Sequence, residues 1–504
     1  MSLFSSQTRT GRFIRTLSSS YVLLLAATAY SLGVVPIILT YGGSTSLGLW
    51  SLIVQFGTYL TLLDAGLSSA CIRQFVGPIV RKDSAGLASK FQNALVLAFF
   101  QGLLIAMAGW SGPWLVPWLA IPPDQAHAFA TLFLAQCCLV ALEFPFRPFN
   151  SLLLAQQRFE FNYLATAAGM ILSLGLVWLG MAQGWGLWSL IVAGAFQAAV
   201  KTTVATVSVA RLWGMGGFFA KSQVQLQTMR QLLAESGSFF SGTFFGTLGG
   251  LAQSTLLSRW FGLEGVAAWS VGSKSANLLS QLLSKFYESS FAGLSELFES
   301  GRTDRLLHRL AQLFGWVVVL SLFLAVGISL WNGIFIRVWT SARLDWPAAC
   351  NVGVAFWLVA LTASRGLAEQ AKILLLWRWI RIGPAMEFVG WLALALILGP
   401  VYSLPGFVWS IAVAPLFSAF MVYGFGLRRK FAACEGSAAA GPGWVLVGGG
   451  ILFFLGAGLF AFISPTFGWN IAGTGVATLF FLLLAVPRLR QLGFSPRRPS
   501  ETSG

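Results

Sequence analysis

Apolar runs of about 20 residues follow one another along the chain from residue 18 to residue 487. Each is long enough to cross the hydrocarbon core of a bilayer as a helix. In lipid, only helices and closed barrels satisfy their own backbone polar groups, and runs of this length select helices. Edges read from sequence place fourteen spans near 18–41, 47–69, 92–111, 128–155, 161–181, 187–210, 235–259, 265–290, 308–331, 348–376, 380–400, 405–427, 444–464 and 468–487. Charged residues make up only 10% of the 504, where a soluble chain carries about 25%. The expected fold is an all-α polytopic membrane protein of about fourteen transmembrane helices.

The net charge of +16 raises the question of nucleic acid. The cations sit mostly in alternate short loops, which is the signature of membrane orientation instead. One set of loops holds Arg73, Arg81, Lys82 and Lys90; Arg158; Arg211, Lys221 and Arg230; Arg302 and Arg305; Arg378 and Arg381; and Arg428, Arg429 and Lys430. The other set is poor in Lys and Arg, and only Arg259, Arg337 and Arg343 break the alternation. The positive-inside rule then places both termini in the cytoplasm and excludes nucleic acid as the partner. Arg9, Arg12 and Arg15 precede a run that continues to about Thr40, too long for a signal-peptide core, so a retained first helix is expected.

The chain repeats itself at an offset of 219 residues. Leu139-Val140-Ala141-Leu142 returns as Leu358-Val359-Ala360-Leu361, Trp50-Ser51 as Trp269-Ser270, Gly43 as Gly262 and Gly180 as Gly399. Six spans per unit keep the two halves in the same orientation, so two pseudo-symmetric six-helix lobes are expected, with substrate sites at their interface near the midplane. The boundaries are 1–212 for the N-terminal lobe, 213–233 for a cytoplasmic connector and 234–430 for the C-terminal lobe. A small-residue linker (431–443), helices 13 and 14 (444–487) and a cytoplasmic tail (488–504) follow.

Within this apolar frame, polar side chains at helical spacing stand out. Ser270, Lys274, Asn277, Gln281 and Glu288 share one face of span 8. A lysine at the centre of a span costs about 2.5–3.5 kcal/mol to insert, so this face is expected to look into a watery cavity that receives negative charge. The offset carries Lys274 onto Gln55 of span 2. Span 4 holds Glu143, Arg147 and Asn150, and span 10 holds Arg365, Glu369 and Lys372, both at i, i+4, i+7. Glu143 with Arg147, and Arg365 with Glu369, read equally as internal i,i+4 ion pairs. Lys285, Lys372 and Arg147 lie near the cytoplasmic ends, where snorkelling also explains them; Lys201 is left without an assignment. Asp64 falls opposite the span-2 stripe and suits a structural or gating contact with Arg73 or a neighbouring helix. Trp50, Trp188, Trp269 and Trp409 fall at outer ends as interface anchors.

Some chemistry is excluded. Gly272-Ser273-Lys274-Ser275 has a serine where a phosphate loop needs the glycine before its lysine, and it follows no strand. The five cysteines and two histidines show no metal spacing, and no cofactor is expected. The longest outer loops, 111–125 and 332–345, are too short and too poor in catalytic groups for a membrane polymerase or ligase. A transporter rather than an enzyme is expected, driven by gradients, membrane potential or metabolic pull.

Gly48-Leu49-Trp50-Ser51-Leu52, then Tyr59 through Ala70 with Leu63-Asp64-Ala65-Gly66-Leu67, and then Arg73, resemble the second helix of bacterial polysaccharide flippases. Glu264 through Val271 resembles the matching part of the second lobe. These flippases are the Wzx-type branch (O-antigen and exopolysaccharide) of the MOP (multidrug/oligosaccharidyl-lipid/polysaccharide) exporter superfamily. The resemblance implies transfer of undecaprenyl-diphosphate-linked oligosaccharides across the bacterial inner membrane by alternating access, for polysaccharide and lipopolysaccharide synthesis. It further implies membrane lipids and other polysaccharide-assembly proteins as partners. On that resemblance Lys274, Arg365 and Arg147 would meet diphosphate or acidic sugars, and Asn277, Gln281 and Gln55 would bond hydroxyls, with Glu369 in the same cavity. Helices 13 and 14 would offer a groove for the lipid tail, as in the related lipid II flippases. The multidrug branch, a cation-coupled antiporter of the same architecture, is the alternative; its usual acidic residues are missing from span 1, which holds no acid at all.

Overall fold

The computed structural model describes residues 9–64, 66–156, 160–213 and 224–428; helices 13 and 14, the linker before them and the tail lie outside the described residues. Helices and the short turns between them make up the described residues, with no strand among them. The first unit begins with α1 (Arg9–Tyr41) and α2 (Gly43–Leu60), and α2 ends in a 3-10 turn, Thr61–Asp64. Next come α3 (Leu67–Arg81), α4 (Ser84–Gly109), the short α5 (Gly112–Trp118) and α6 (Pro123–Glu143). A 3-10 turn, Phe144–Phe146, joins α6 to α7 (Arg147–Ala155), followed by α8 (Glu160–Ala182) and α9 (Trp188–Trp213). The remainder is α10 (Leu226–Gly272), α11 (Lys274–Glu299), α12 (Thr303–Trp339), α13 (Ala348–Ile373), α14 (Trp377–Met421) and a π-helical end, Val422–Leu427.

Among the described residues, nine helical segments are long and apolar enough to cross a membrane. The last of them, Trp377–Leu427, is 51 residues long and bends at Ser403, so it supplies the eleventh and twelfth expected spans. The expected seventh and eighth spans fall in α10 and α11. α10 turns at Gly262, and α11 carries Lys274, Lys285, Glu288 and Glu296, which lower its apolar character.

The described residues up to Val271, with Trp339–Leu344, form one contact unit, and Gly272–Val338 with the described residues from Asp345 form the other. In the first, α1 packs on α8, α8 on α9, α4 on α6, and α3 on α4 and α7. In the second, α13 packs on α11 and α14. These units follow packing, whereas the lobe limits expected from sequence follow the repeat.

The repeat itself is written into the backbone. Left-handed residues occur at Gly43 and Gly262, at Lys82 and Gly301, and at Gly184 and Ser403, each pair 219 residues apart. The same offset relates two hydrophobic cores. Phe75, Leu87, Ala88, Phe91 and Leu152 pack together in one unit. Their counterparts Leu294, Leu306, Leu307, Leu310 and Ala371 pack together in the other. Aromatic side chains have given way to aliphatic ones at equivalent sites, so the chain kept the core and lost the identity; cores tolerate such repacking when volume and pattern are kept.

Three expectations change. The cationic segment after span 2 is not a loop: Arg73 lies in α3, which starts after a left-handed Gly66 and buries Leu67, Cys71 and Phe75. Trp269 is 7% exposed, so packing rather than interface anchoring holds it. Arg343, an exception to the charge alternation, donates from Nη1 to the Leu39 carbonyl at 2.9 Å, and Trp339 Nε1 donates to the Leu32 carbonyl at 2.8 Å. Carbonyls in the last turn of α1 have no helical partner and attract a cation, which accounts for this arginine.

Candidate functional site

In the first unit the polar side chains pair across helices. Pro145 in the 3-10 turn breaks the continuity between α6 and α7, so Glu143 and Arg147 do not meet at i,i+4 spacing. Arg147 instead reaches Asp64, with Nη1 to Oδ1 at 3.1 Å, and its guanidinium lies 3.8 Å from the centre of the Phe144 ring. Asp64 is held in turn by the Ser68 hydroxyl (2.9 Å) and backbone N–H (3.3 Å). Glu143 pairs with Lys201 of α9 at 3.3 Å, which gives Lys201 the role that its sequence context left open. The expected contact of Asp64 is therefore with a neighbouring helix and not with Arg73. Gln55 accepts a hydrogen bond from Ser254, which also lies 3.3 Å from the Tyr59 hydroxyl. Asn150 accepts from Asn162 at 2.6 Å.

The second unit is arranged differently. α11 begins at Lys274, where the preceding helix is interrupted at Ser273. The Gly272 carbonyl is taken by Asn332 Nδ2 at 3.1 Å, and a Cβ on Gly272 would collide with the Trp346 ring. Lys274 is half-buried and has no hydrogen-bond or ion-pair partner among the described residues. Asn277 turns back to the Ser273 carbonyl at 3.1 Å, and Gln281 is exposed one turn further on. Arg365 of α13 donates from Nη1 to the Ser280 hydroxyl of α11 at 3.1 Å. Glu369, its i,i+4 neighbour, pairs with Lys372 at 2.6 Å instead. Lys274 of α11 and Arg365 of α13 thus lie on packed helices, and no carboxylate binds either directly among the described residues.

Two residues beside them were not singled out from sequence. Glu387 of α14 acts on Arg365 through its charge. The signal for it was present: a single acid between Met386 and Phe388 inside an apolar span is by default a functional residue. Tyr287 of α11 is 5% exposed, its hydroxyl has no partner among the described residues, and it lies against the backbone of Gly366, next to Arg365. Its signal was weaker, because a tyrosine on a helix face reads as packing. Among the described residues no cluster of His, Cys, Asp and Glu could hold a metal ion.

No family model and no curated protein matches the chain. Solved structures do. An inward-facing multidrug-resistance MATE transporter of the MOP superfamily superposes with a TM-score of 0.64 at 14% identity, covering 83% of this chain and 100% of that one. A MATE transporter of Vibrio cholerae in the bent form gives 0.55 at 14% identity, over 84% and 99%. The lipid II flippase MurJ in an inward closed conformation gives 0.67 at 12% identity, over 95% of this chain and 99% of that one. The chain has the fold that multidrug-resistance MATE transporters of the MOP superfamily share with the lipid II flippase MurJ.

Proposed function

We propose that this protein is a membrane transporter that flips a lipid-linked oligosaccharide, carried on undecaprenyl diphosphate, across the bacterial inner membrane. The observation that carries the proposal is the pair of cations in the second unit. Lys274 has no partner among the described residues, and Arg365 is bonded to a serine hydroxyl. In the first unit, by contrast, Arg147 and Lys201 are each matched by a carboxylate. A cation within a span that no carboxylate binds directly is costly unless an anion visits it. A diphosphate supplies that anion, and Asn277 and Gln281 offer amide groups for sugar hydroxyls. The greater share of the chain matched by MurJ, 95% against 83–84% for the MATE structures, favours the same reading. Outward movement of each negative charge through an inside-negative potential of about 100 mV gains about 2.3 kcal/mol, so the membrane potential favours export.

A second reading rests on Glu387. A lone carboxylate in a spanning helix, in a fold shared with MATE transporters, suits a cation-coupled multidrug or small-molecule antiporter.

The deciding measurement is transport in vesicles with a fluorescent undecaprenyl-diphosphate oligosaccharide. Wild type is expected to flip it. Lys274→Ala and Arg365→Ala, at equal protein levels, are each expected to lose about tenfold or more, the change expected when a charge-assisted contact is lost. Normal flipping by both variants would remove these residues from the site. Failure of wild type to flip, together with ion-driven efflux of an organic cation that needs Glu387, would establish the antiporter instead.

A further inference from the structure

A cavity of about 330 Å³ lies within the second unit, between α11 and α12. Leu279 of α11 and Phe323, Leu324, Gly327, Trp331 and Phe335 of α12 line it. The α12 stripe runs from Phe323 to Phe335, about 18 Å of helix. That is close to the depth of one leaflet in a hydrocarbon core of about 30 Å. Its polar end is already satisfied. The Ser275 hydroxyl donates to Asn332 Oδ1 at 2.7 Å, and Asn332 Nδ2 donates to the Gly272 carbonyl at 3.1 Å and to Asn351 Oδ1 at 3.0 Å. Gly327, midway along the stripe, faces open space: a Cβ built there meets nothing within 4 Å.

An apolar cavity of this kind stays dry and takes apolar guests. α12 is one of the helices apolar enough to cross a membrane, so lipid hydrocarbon is the apolar guest at hand. Ser275 and Leu279 point roughly 150° around α11 from the Lys274, Asn277 and Gln281 stripe, which separates this cavity from the cationic face.

We propose that the groove between α11 and α12 binds one acyl chain of a bilayer phospholipid, with the chain lying along α12 between Phe323 and Phe335. The length of the stripe suits an unbranched chain confined to one leaflet. A long polyisoprenoid, bulkier at every methyl branch, would overrun it at both ends. The chain occupies space that α11 and α12 leave between them. This site is independent of what the cationic face carries.

The test uses full-length protein in phosphatidylethanolamine–phosphatidylglycerol vesicles with a trace of phosphatidylcholine bearing a diazirine at the middle of one acyl chain. After irradiation, mass spectrometry locates the label. The peptides containing 275–279 and 323–335 are expected to carry about tenfold more label than those of α8, the ratio for a specific site over bulk contact. Gly327→Leu is expected to abolish that excess. Gly175→Leu, at a glycine of α8 that also faces open space, is expected to leave it unchanged. Uniform labelling of the spanning helices in wild type would overturn the proposal whatever the variants do. Labelling of the same peptides by a polyisoprenyl-phosphate diazirine, undiminished by excess phospholipid, would overturn it too.

Discussion

Arg147 carries one of the clearest residue-level consequences of the structure. Its partner Asp64 is 16% exposed and Arg147 is 28% exposed, so the pair is largely shielded from water. Truncating one member strands the other, and that loss exceeds the net worth of the pair. Asp64→Ala is expected to cost about 1–3 kcal/mol in thermal unfolding in detergent. The double variant Asp64→Ala, Arg147→Met should recover part of it, with a coupling of about 0.5–3 kcal/mol. Strict additivity of the two changes would show that they do not act as a pair. Glu143 and Lys201 are 29% and 39% exposed, and the more exposed a pair, the less it contributes. Lys201→Met should therefore cost less than about 1 kcal/mol in the same assay.

At the scale of elements, the bends decide where helices begin again. Gly262 has φ 65 and ψ −170, a conformation open essentially to glycine alone. Ser403 adopts nearly the same conformation, φ 54 and ψ −143, with a side chain attached. Its repeat partner Gly184 is a glycine, so the second half of the chain holds strain that the first half avoids. Ser403→Gly is expected to raise stability by about 1–3 kcal/mol, and Gly262→Ala to lower it by a similar amount. Melting curves of the two variants check both; a fall on Ser403→Gly would mean the hydroxyl matters more than the strain. Gly48 is constrained by contact rather than by dihedral angle. A Cβ there would collide with the Leu263 carbonyl, so Gly48→Ala must push α2 and α10 apart. It is expected to cost about 1–3 kcal/mol, as overpacking does.

At the scale of the molecule, orientation is the open consequence of the charge pattern. The charge pattern predicts both termini in the cytoplasm, which would turn Gly184 outward and Gly301 inward. Gln183→Cys should react with a membrane-impermeant thiol reagent in intact cells, and Ser300→Cys should react only after permeabilisation, with wild-type labelling subtracted. The opposite pattern would reverse the topology. The repeat is the other molecular feature, and it was partly legible. The 219-residue offset showed in tryptophans, glycines and one tetrapeptide of the sequence. The deeper evidence, matched cores and matched left-handed turns, became visible only in three dimensions, because core positions accept any side chain of suitable volume.

The amino-acid pattern alone establishes that the chain is helical and that it crosses a membrane many times, because the bilayer demands long apolar helices whatever they pack against. It also marked Lys274 and Arg365, because a charge in an apolar helix is conspicuous without any coordinates. It did not determine which charges find partners. Glu143 and Arg147 stand at helical spacing, yet Pro145 ends the helix between them and each reaches a different helix. Arg365 and Glu369 share a helix face, yet Glu369 turns to Lys372 and Arg365 to Ser280. Pairing depends on which helices touch and where each one bends, and spacing along the chain records neither.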